Sequence, residues 1–250
     1  MTAPAEHRRP VVRFEVVDST QRHAARLIAD GAADGTAVVA ETQTEGRGRR
    51  GRVWSDTPGA SLLMSVLLRT TLPPSRVPTL SLAAGVAVVD ALASSAGIGA
   101  RLKWPNDVLV GGRKVAGILL ERHGGAVVLG IGINVTTDAV PPDLAARATS
   151  IVAEGGRPDR EALLAAVLEA VERWRGRLER EGFAPIRVRW TELAATIGQR
   201  VSVDGLQGLA VGLDDDGALV LATASGRARV LAGDVVAIDV AGSGTDLAGG

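Results

Sequence analysis

The middle of the sequence is a series of short β-like runs joined by very short turns, and this series limits the folds open to the chain. Four of them follow one another within residues 101–135: Arg101–Trp104, Val108–Val110, Lys114–Glu121 and Ala126–Val135. Gly111-Gly112, between two of the runs, is typical of a two-residue hairpin loop. Connections this short join antiparallel neighbours, because parallel strands need a crossover of about a dozen residues. The pattern therefore predicts an antiparallel sheet for this part of the chain.

Further strands and several helices are predicted before and after this sheet segment. The additional strands are Val11–Val17, Thr36–Glu41 and Ser61–Arg69. Helical spacing of apolar residues predicts helices at Ser19–Asp30, Leu80–Ser95, Pro158–Arg180 and Ile186–Ala195. The second of these helices is apolar on nearly all sides, which predicts a central position. The predicted class is α+β, with a mainly antiparallel, mixed sheet flanked by helices.

The composition changes after Gly198, where five more β-like runs follow closely. They are Arg200–Val203, Leu209–Leu213, Leu219–Thr223, Ala228–Leu231 and Val235–Val240. Asp-Gly and Ser-Gly pairs separate several of these runs, a pattern that predicts a small SH3-like β-barrel. The expected organisation is a flexible N-terminus at 1–10, a main domain at 11–196, the barrel at 197–240 and a disordered tail at 241–250.

Composition excludes several function classes. The 250 residues include 28 basic and 28 acidic side chains, so the chain lacks the global positive charge common in nucleic-acid-binding proteins. There is no cysteine, which excludes disulfides, thiolate metal sites and an enzyme thioester. The longest apolar stretch, Leu80–Val89, is too short to span a membrane, which takes about 20 residues. The chain is therefore predicted to be cytoplasmic, with no membrane partner.

An arginine-rich loop, Gly46-Arg47-Gly48-Arg49-Arg50-Gly51-Arg52, is the first candidate for chemistry. It formally matches the G-x-G-x-x-G dinucleotide motif, but that motif must turn directly from a strand into a helix. Here several residues precede the first glycine, and Val53–Pro58 does not favour a helix. Glycine and arginine together suit close contact with a carboxylate or phosphate. A solvated basic loop and a nucleic-acid patch remain alternative interpretations.

Three segments of the predicted sheet carry further candidates. Lys103-Trp104-Pro105-Asn106-Asp107 presents two polar side chains after a strand, although an Asx turn also explains them. Lys114, one of only two lysines, opens a strand that contains Gly117, and a strand-end lysine facing solvent is the alternative. Gly130-Ile131-Gly132-Ile133-Asn134 contains two strand glycines, which permit close approach or mark a bulge.

A fourth polar segment, Asp18-Ser19-Thr20-Gln21, stands at the start of a predicted helix. Helix capping explains its hydroxyl groups, and recognition of a polar ligand is the alternative. The three histidines, His7, His23 and His123, lie in unrelated contexts, so no metal ligands are predicted.

Taken in order, five segments resemble the biotin–protein ligases. They are DST at 18–20, ETQTEGRGRRGRVW at 41–54, KWPNDV at 103–108, RKVAGILLE at 113–121 and GIGINV at 130–135. The resemblance covers roughly residues 11–240. It implies the fold of class II synthetases and biotin–lipoate ligases. It also implies activation of biotin with MgATP to biotinyl-5′-AMP and transfer of biotin to a lysine of a biotin carboxyl carrier domain.

The resemblance also implies roles for individual residues. Biotin would be bound by Ser19, Thr20, Gln43, Gly46, Arg47, Arg49, Lys114 and Gly117. The nucleotide would be bound by Arg49, Arg50, Trp54, Asn106, Lys114 and Asn134. The catalytic residues would be Arg47, Arg49, Lys114 and Asp107, the last orienting or deprotonating the carrier lysine. Many members have Asn where this chain has Gln21, so Gln21 is not included.

The family includes bifunctional members with an N-terminal DNA-binding domain. The first predicted strand begins at Val11, so the chain is expected to be the monofunctional type, without DNA binding, and a monomer or weak homodimer. A lipoate- or octanoate-transferring enzyme, a nucleic-acid-binding module and a catalytically silent biotin sensor are the alternative functions.

Overall fold

A computed structural model describes residues 10–55 and 57–238. The predicted disordered tail, the last residues of the predicted final strand and nearly all of the predicted flexible N-terminus lie outside these residues. The main domain has seven strands: β1 (Val11–Val17), β2 (Ala37–Gln43), β3 (Ser61–Arg69), β4 (Arg101–Lys103), β5 (Asp107–Val110), β6 (Arg113–His123) and β7 (Ala126–Asn134). Its helices are α1 (Thr20–Ala29), α2 (Thr79–Ala91), α3 (Arg160–Glu181) and α4 (Ala184–Leu193).

The large sheet has the strand order β1-β2-β3-β7-β6-β5-β4. Only β1 and β2 are parallel, and α1 provides the crossover between them. The other neighbours are antiparallel. The prediction of a mainly antiparallel, mixed sheet flanked by helices is confirmed.

The helices cover the two faces of the large sheet unequally. Val38 and Val128 pack with Ala24 of α1, while their strand neighbours Val39 and Val127 belong to the core beneath α2 and α3. Because alternate residues of a strand point to opposite faces, α1 covers one face and α2 with α3 covers the other. Helix α1 covers only part of its face of the large sheet. The uncovered part of that face forms one wall of the site described below.

The central position predicted for the second helix is confirmed. Nearly every residue of α2 is buried, which matches a helix that is apolar all round. By length and hydropathy the helical stretch Thr79–Ala96 also resembles a membrane span, but 72% of it is buried inside the protein. A helix in the core of a domain explains both properties.

The chain ends, within the described residues, in a second sheet of five strands. These are β8 (Arg200–Val203), β9 (Leu206–Leu213), β10 (Leu219–Thr223), β11 (Gly226–Val230) and β12 (Val235–Ala237). Their order is β11-β10-β9-β8-β12, all antiparallel. The predicted all-β unit is therefore present. Among the described residues, its two outer strands, β11 and β12, are not paired with each other.

The two sheets share a continuous apolar core, and Trp104 joins them directly. Its indole Nε1 donates a hydrogen bond to the Gly217 carbonyl of the small sheet at 3.0 Å. Its backbone N–H donates to Thr196 Oγ1 at 2.9 Å. The side chain is 2% exposed. This contact places the small sheet beside the end of β4, next to the open part of the α1 face.

Candidate active site

A cavity of about 510 Å³ lies between the open part of the large sheet and the small sheet. Most of the predicted site residues line it: Ser19, Thr20, Gln43, Arg47, Arg49, Trp54, Asn106, Asp107, Lys114 and Gly117. They come from β2, from the arginine-rich loop, from the start of α1 and from strands β5 and β6. The antiparallel register brings these separate segments together.

One end of the cavity is a buried network of polar side chains. The Thr20 backbone N–H and hydroxyl donate to Gln43 Oε1 at 2.8 and 3.1 Å. The Thr20 and Ser65 hydroxyls lie 2.8 Å apart. Buried polar groups normally have hydrogen-bond partners, so this network is specific and rigid.

Ser19 has an unpaired hydroxyl at this same end. Its side chain is fully buried, and no described residue accepts from or donates to its Oγ. It occupies the N-cap position of α1 but makes no side-chain capping bond. The capping interpretation is therefore wrong for Ser19. Its unpaired hydroxyl can form a hydrogen bond with a polar ligand.

Gln21 was not among the predicted site residues, yet it lines the cavity, as do Ser65 and Asp234. The side chain is 3% exposed and its amide donates to the Val128 and Leu119 carbonyls at 3.0 and 3.3 Å. Its Oε1 accepts from Ser65 Oγ at 3.0 Å. Gln21 thus ties the first turn of α1 to the large sheet and completes the polar network. The glycine at position 130 was a partial signal in the sequence for this contact. Any larger residue there would place its Cβ 2.7 Å from Gln21 Oε1.

The floor of the cavity is made of backbone at Gly117, Gly130 and Gly132, which we call the glycine floor. Gly117 and Gly132 are direct cross-strand partners on β6 and β7. The Trp54 ring lies on both, since a Cβ at either position would be 2.7–2.9 Å from ring atoms. Gly117 was expected to make room for biotin, and in the structure the ring above it is Trp54.

Lys114 and Asp107 form an ion pair at the edge of the floor. Lys114 Nζ lies 2.6 Å from Asp107 Oδ1 and 5.6 Å from the centre of the Trp54 ring. Asp107 is brought there because it stands opposite Gly117 in the β5–β6 register. The alternative interpretation of Lys114, a strand-end lysine facing solvent, is wrong, because only about a third of its side chain is exposed. The ammonium is available to an incoming anion without leaving the cavity.

Asn106 links this pair to the arginine-rich loop. Its Nδ2 donates to the Ile118 carbonyl at 2.7 Å, and its Oδ1 accepts from Arg49 at 3.0 Å. These bonds cross to β6 and to the loop, so an Asx turn does not account for the side chain. Burial lowers the pKa of Arg49, although an arginine remains protonated at any physiological pH.

The arginine-rich loop (Gly46–Arg52, called the arginine loop) is a small hairpin. Gly48 and Arg52 share a backbone hydrogen bond, and Arg47 bridges to Val53. Gly46 is required here because a Cβ would lie 2.3 Å from the Trp54 carbonyl oxygen. Arg47 pairs with Glu121 at 2.9 Å. Each arginine has a protein partner, so a simple solvated loop does not describe it.

Three predicted site residues do not line the cavity. Gly46 acts through the backbone contact just described. Asn134 is buried in β7 and donates to the Thr149 carbonyl at 2.9 Å, a contact that ties a loop to the sheet. Arg50 reaches the small sheet and pairs with Asp204. Their predicted ligand contacts stay predictions.

No group of three or more His, Asp or Glu side chains among residues 10–55 and 57–238 is placed to hold a metal ion. Asp107 and Asp234 are carboxylates at the cavity, and both are paired with cationic side chains. Magnesium at phosphate sites commonly uses one or two carboxylates together with phosphate oxygens and water. The residues present fit that mode of binding, with the ion held mainly by a nucleotide.

Known proteins resemble this chain in sequence and in fold. Residues 13–138 match the model of the Biotin/lipoate A/B protein ligase family. The chain belongs to this family. Residues 196–237 match the Biotin protein ligase C terminal domain, which corresponds to the small sheet.

Relatives cover most of the chain. It is 39% identical to a biotin--[acetyl-CoA-carboxylase] ligase of Paracoccus denitrificans, over 87% of this chain and 96% of that protein. A protein of the same name from Mycobacterium tuberculosis is also 39% identical, with 90% and 88% covered. The bifunctional ligase/repressor BirA of Bacillus spizizenii is 38% identical, over 88% of this chain and 72% of BirA.

A solved structure supports the same assignment. The biotin protein ligase from Aquifex aeolicus in complex with biotin and ATP superposes with a TM-score of 0.81 at 31% identity, covering 91% of this chain and 97% of the other. The resemblance and the predicted fold class are thereby confirmed, and the chain is a member of the biotin protein ligase family.

Proposed function

We propose that the protein activates biotin with ATP and transfers it to a lysine of a biotin carboxyl carrier domain. The observation that carries the proposal is the convergence of five distant sequence segments on one cavity. That cavity has an orphaned hydroxyl at one end and a lysine and arginines at the other. Names given to relatives and to a biotin- and ATP-bound neighbour support the same substrates.

The proposed first step joins two anions. An oxygen of the biotin carboxylate attacks the α-phosphorus of ATP, the bond to the β-phosphate breaks, and pyrophosphate leaves. The protein must offset the repulsion between carboxylate and triphosphate, and fixed cations are the effective means in a site shielded from water. Arg47, Arg49 and Lys114 supply them. Mg²⁺ would neutralise further phosphate charge when bound with ATP.

The proposed second step uses the substrate's own nucleophile. The amine of the carrier lysine attacks the acyl carbon, AMP leaves, and the amine loses a proton. Asp107 pairs with Lys114 at 2.6 Å, so it sets a carboxylate beside a cation proposed to act at the reacting end. We assign it the role of orienting the incoming lysine. No serine or cysteine nucleophile is needed, so catalysis depends on positioning and charge.

At the other end, the polar network suits the ring end of biotin. Thr20 and Gln43 are fixed by mutual hydrogen bonds, and Ser19 has spare hydrogen-bonding capacity. A ureido group carries both donors and acceptors and would complete that network. A buried hydrogen-bonding site strongly rejects a ligand that lacks the matching groups. Lipoate and octanoate, which have no ureido ring, are expected to be poor substrates.

ATP–pyrophosphate exchange tests the first step. We expect exchange with biotin and not with lipoate or octanoate. Lys114→Met is expected to lower kcat about 10²- to 10³-fold, because it removes one charge-stabilising donor. Arg113→Met is the matched control, since it removes a cation from the adjacent position that pairs with Glu154. No exchange with any acid in the wild type would refute the proposal.

The finer parts of the proposal have separate tests. Transfer to a purified carrier domain tests the carboxylase partner, and exchange with and without Mg²⁺ tests the metal. Cytoplasmic location, a monomeric or weakly dimeric state and the absence of DNA binding belong to the proposal too. Fractionation, sedimentation and a salt-dependent duplex-binding assay would examine them in turn.

A further inference from the structure

The tip of the arginine loop contacts the tip of a hairpin in the small sheet. Arg50 donates through both terminal nitrogens to the two Asp204 carboxylate oxygens, at 2.9 and 2.5 Å. Arg52 pairs with Asp234, and Asp234 also lies 3.7 Å from Arg50. Isolated surface ion pairs contribute little, but bidentate pairs within a network hold a defined geometry. The two arginines and two aspartates form such a network between the domains.

The backbone of the loop is arranged around this contact. Arg50 has φ 55° and ψ 36°, in the left-handed region, and Gly51 follows with φ 73°. Arginine rarely adopts this conformation, because its Cβ approaches the carbonyl oxygen. An unfavourable conformation persists where surrounding contacts impose it. The bidentate bond to Asp204 is the contact at that position.

The acceptor side is rigid. Asp204-Gly205 forms the two-residue loop between β8 and β9, with φ 49° and 92°, as Asp-Gly favours. A Cβ at Gly233 would lie 2.3 Å from Val203 Cγ1, so the segment leading to β12 approaches this hairpin closely. The Arg50 hydrogen bond lowers the pKa of Asp204, and an aspartate is ionised near neutral pH even without such a partner. Asp204 is therefore a preformed anionic anchor.

Anchoring the loop tip fixes the residues that reach the cavity. Arg49, next to Arg50, donates to Asn106 and lines the cavity wall. Asp234 lines the cavity as well. Because the hairpin spans only Arg47 to Val53, release of its tip would also free Arg49.

We propose that Asp204 and Asp234 are positioning residues that latch the arginine loop over the cavity, so that the small sheet controls retention of the acyl-adenylate. The retention part rests on the proposed function, whereas the latch itself does not. The small sheet thereby acts on the reaction without touching the reacting atoms.

The test compares Asp204→Asn with a charge exchange, Arg50→Glu combined with Asp204→Arg. Asp216→Asn is the matched control, since Asp216 also pairs with an arginine, Arg229, in the same domain. Trypsin cleavage after Arg47, Arg49 or Arg52, the loop sites that every variant keeps, reports opening of the loop in the unliganded, full-length protein. Release of preformed biotinyl-5′-AMP after dilution reports retention.

Asp204→Asn is expected to speed both cleavage and release about three- to tenfold, the size of one surface charge-assisted pair. The control should match the wild type in both measurements, and the charge exchange should restore slow cleavage. Unchanged cleavage in Asp204→Asn would overturn the latch. Failure of the charge exchange to restore slow cleavage, in a folded protein, would also overturn the latch. Unchanged release in Asp204→Asn would overturn its role in retention. A wild type that makes no adenylate would refute the proposed function, while cleavage would still decide the latch.

Discussion

Gly132 lies directly beneath the Trp54 ring, and this contact leaves no space for a side chain. An alanine Cβ would be 2.7 Å from the ring carbons. Overpacking of this kind costs roughly 1–3 kcal/mol when neighbours must shift. Gly132→Ala is therefore expected to displace Trp54 and weaken nucleotide or biotin binding about tenfold or more. Ligand titration followed by tryptophan fluorescence measures it.

Gly125→Ala is the control for this substitution. Gly125 lies in the turn between β6 and β7, where an alanine Cβ would meet no atom of the described residues within 4 Å. This variant should bind ligands like the wild type. Equal affinity in the two variants would show that the Trp54 contact is not part of the binding surface.

At the residue scale, short-range motifs predicted much of the cavity wall. Lys114 and Arg49 stood out because basic side chains near glycines are suited to anions, whereas Asp107 followed from its polar segment and from the family resemblance. Gln21 could not be predicted in the same way. Its amide bonds to the Leu119 and Val128 carbonyls, about a hundred residues further along the chain, and no local pattern reports such a contact.

At the element scale, the start of α3 depends on one side chain. Asp159 is the N-cap residue, and its carboxylate accepts from the Ala162 N–H at 2.9 Å. Asp159→Ala is expected to lower the free energy of unfolding by about 1 kcal/mol, since the N–H loses its partner. Asp159→Asn keeps an acceptor and should cost much less. Urea unfolding of both variants gives the comparison, and equal losses would contradict the capping role.

Periodicity and turn residues located the elements well but not their neighbours. The predicted strands and helices appear with ends shifted by a few residues: β9 begins at Leu206, and α2 gives way to a wider π-type turn at Leu92–Ala96. The insertion of β7 between β3 and β6 was not predictable, because hairpin signals specify only sequential pairs. That insertion places β3 against β7, whereas the β6–β7 hairpin itself places Gly132 beside Gly117.

At the scale of the whole molecule, an ion pair links α3 to the large sheet. Arg160 donates to both Glu41 carboxylate oxygens at 2.7 and 2.9 Å, and this hydrogen bonding lowers the pKa of Glu41. A lowered carboxyl pKa stabilises the fold above the unfolded-state value, about 4.3, and this stability is lost as pH falls through the folded-state value.

Glu41→Gln is accordingly expected to be less stable than the wild type at pH 7, by under about 1 kcal/mol after solvent screening. The difference should shrink as the pH falls through the lowered pKa of Glu41, because the wild-type carboxylate then becomes protonated and loses the ion pair. Urea unfolding at several pH values measures this. Glu169→Gln, a position on α3, is the control. A difference that stays constant with pH would rule out the ion pair as its source.

The glycine floor has a consequence for how this cavity can change over generations. Its central surface is peptide backbone, so no substitution there can reshape it gradually; the first added carbon at Gly130 or Gly132 already collides. Variation can accumulate only around the rim, at hydroxyl, amide and charged positions. Proteins that inherit this cavity would keep a preference for flat or extended ligands. Substitutions at the rim would change which polar groups of the ligand are recognised.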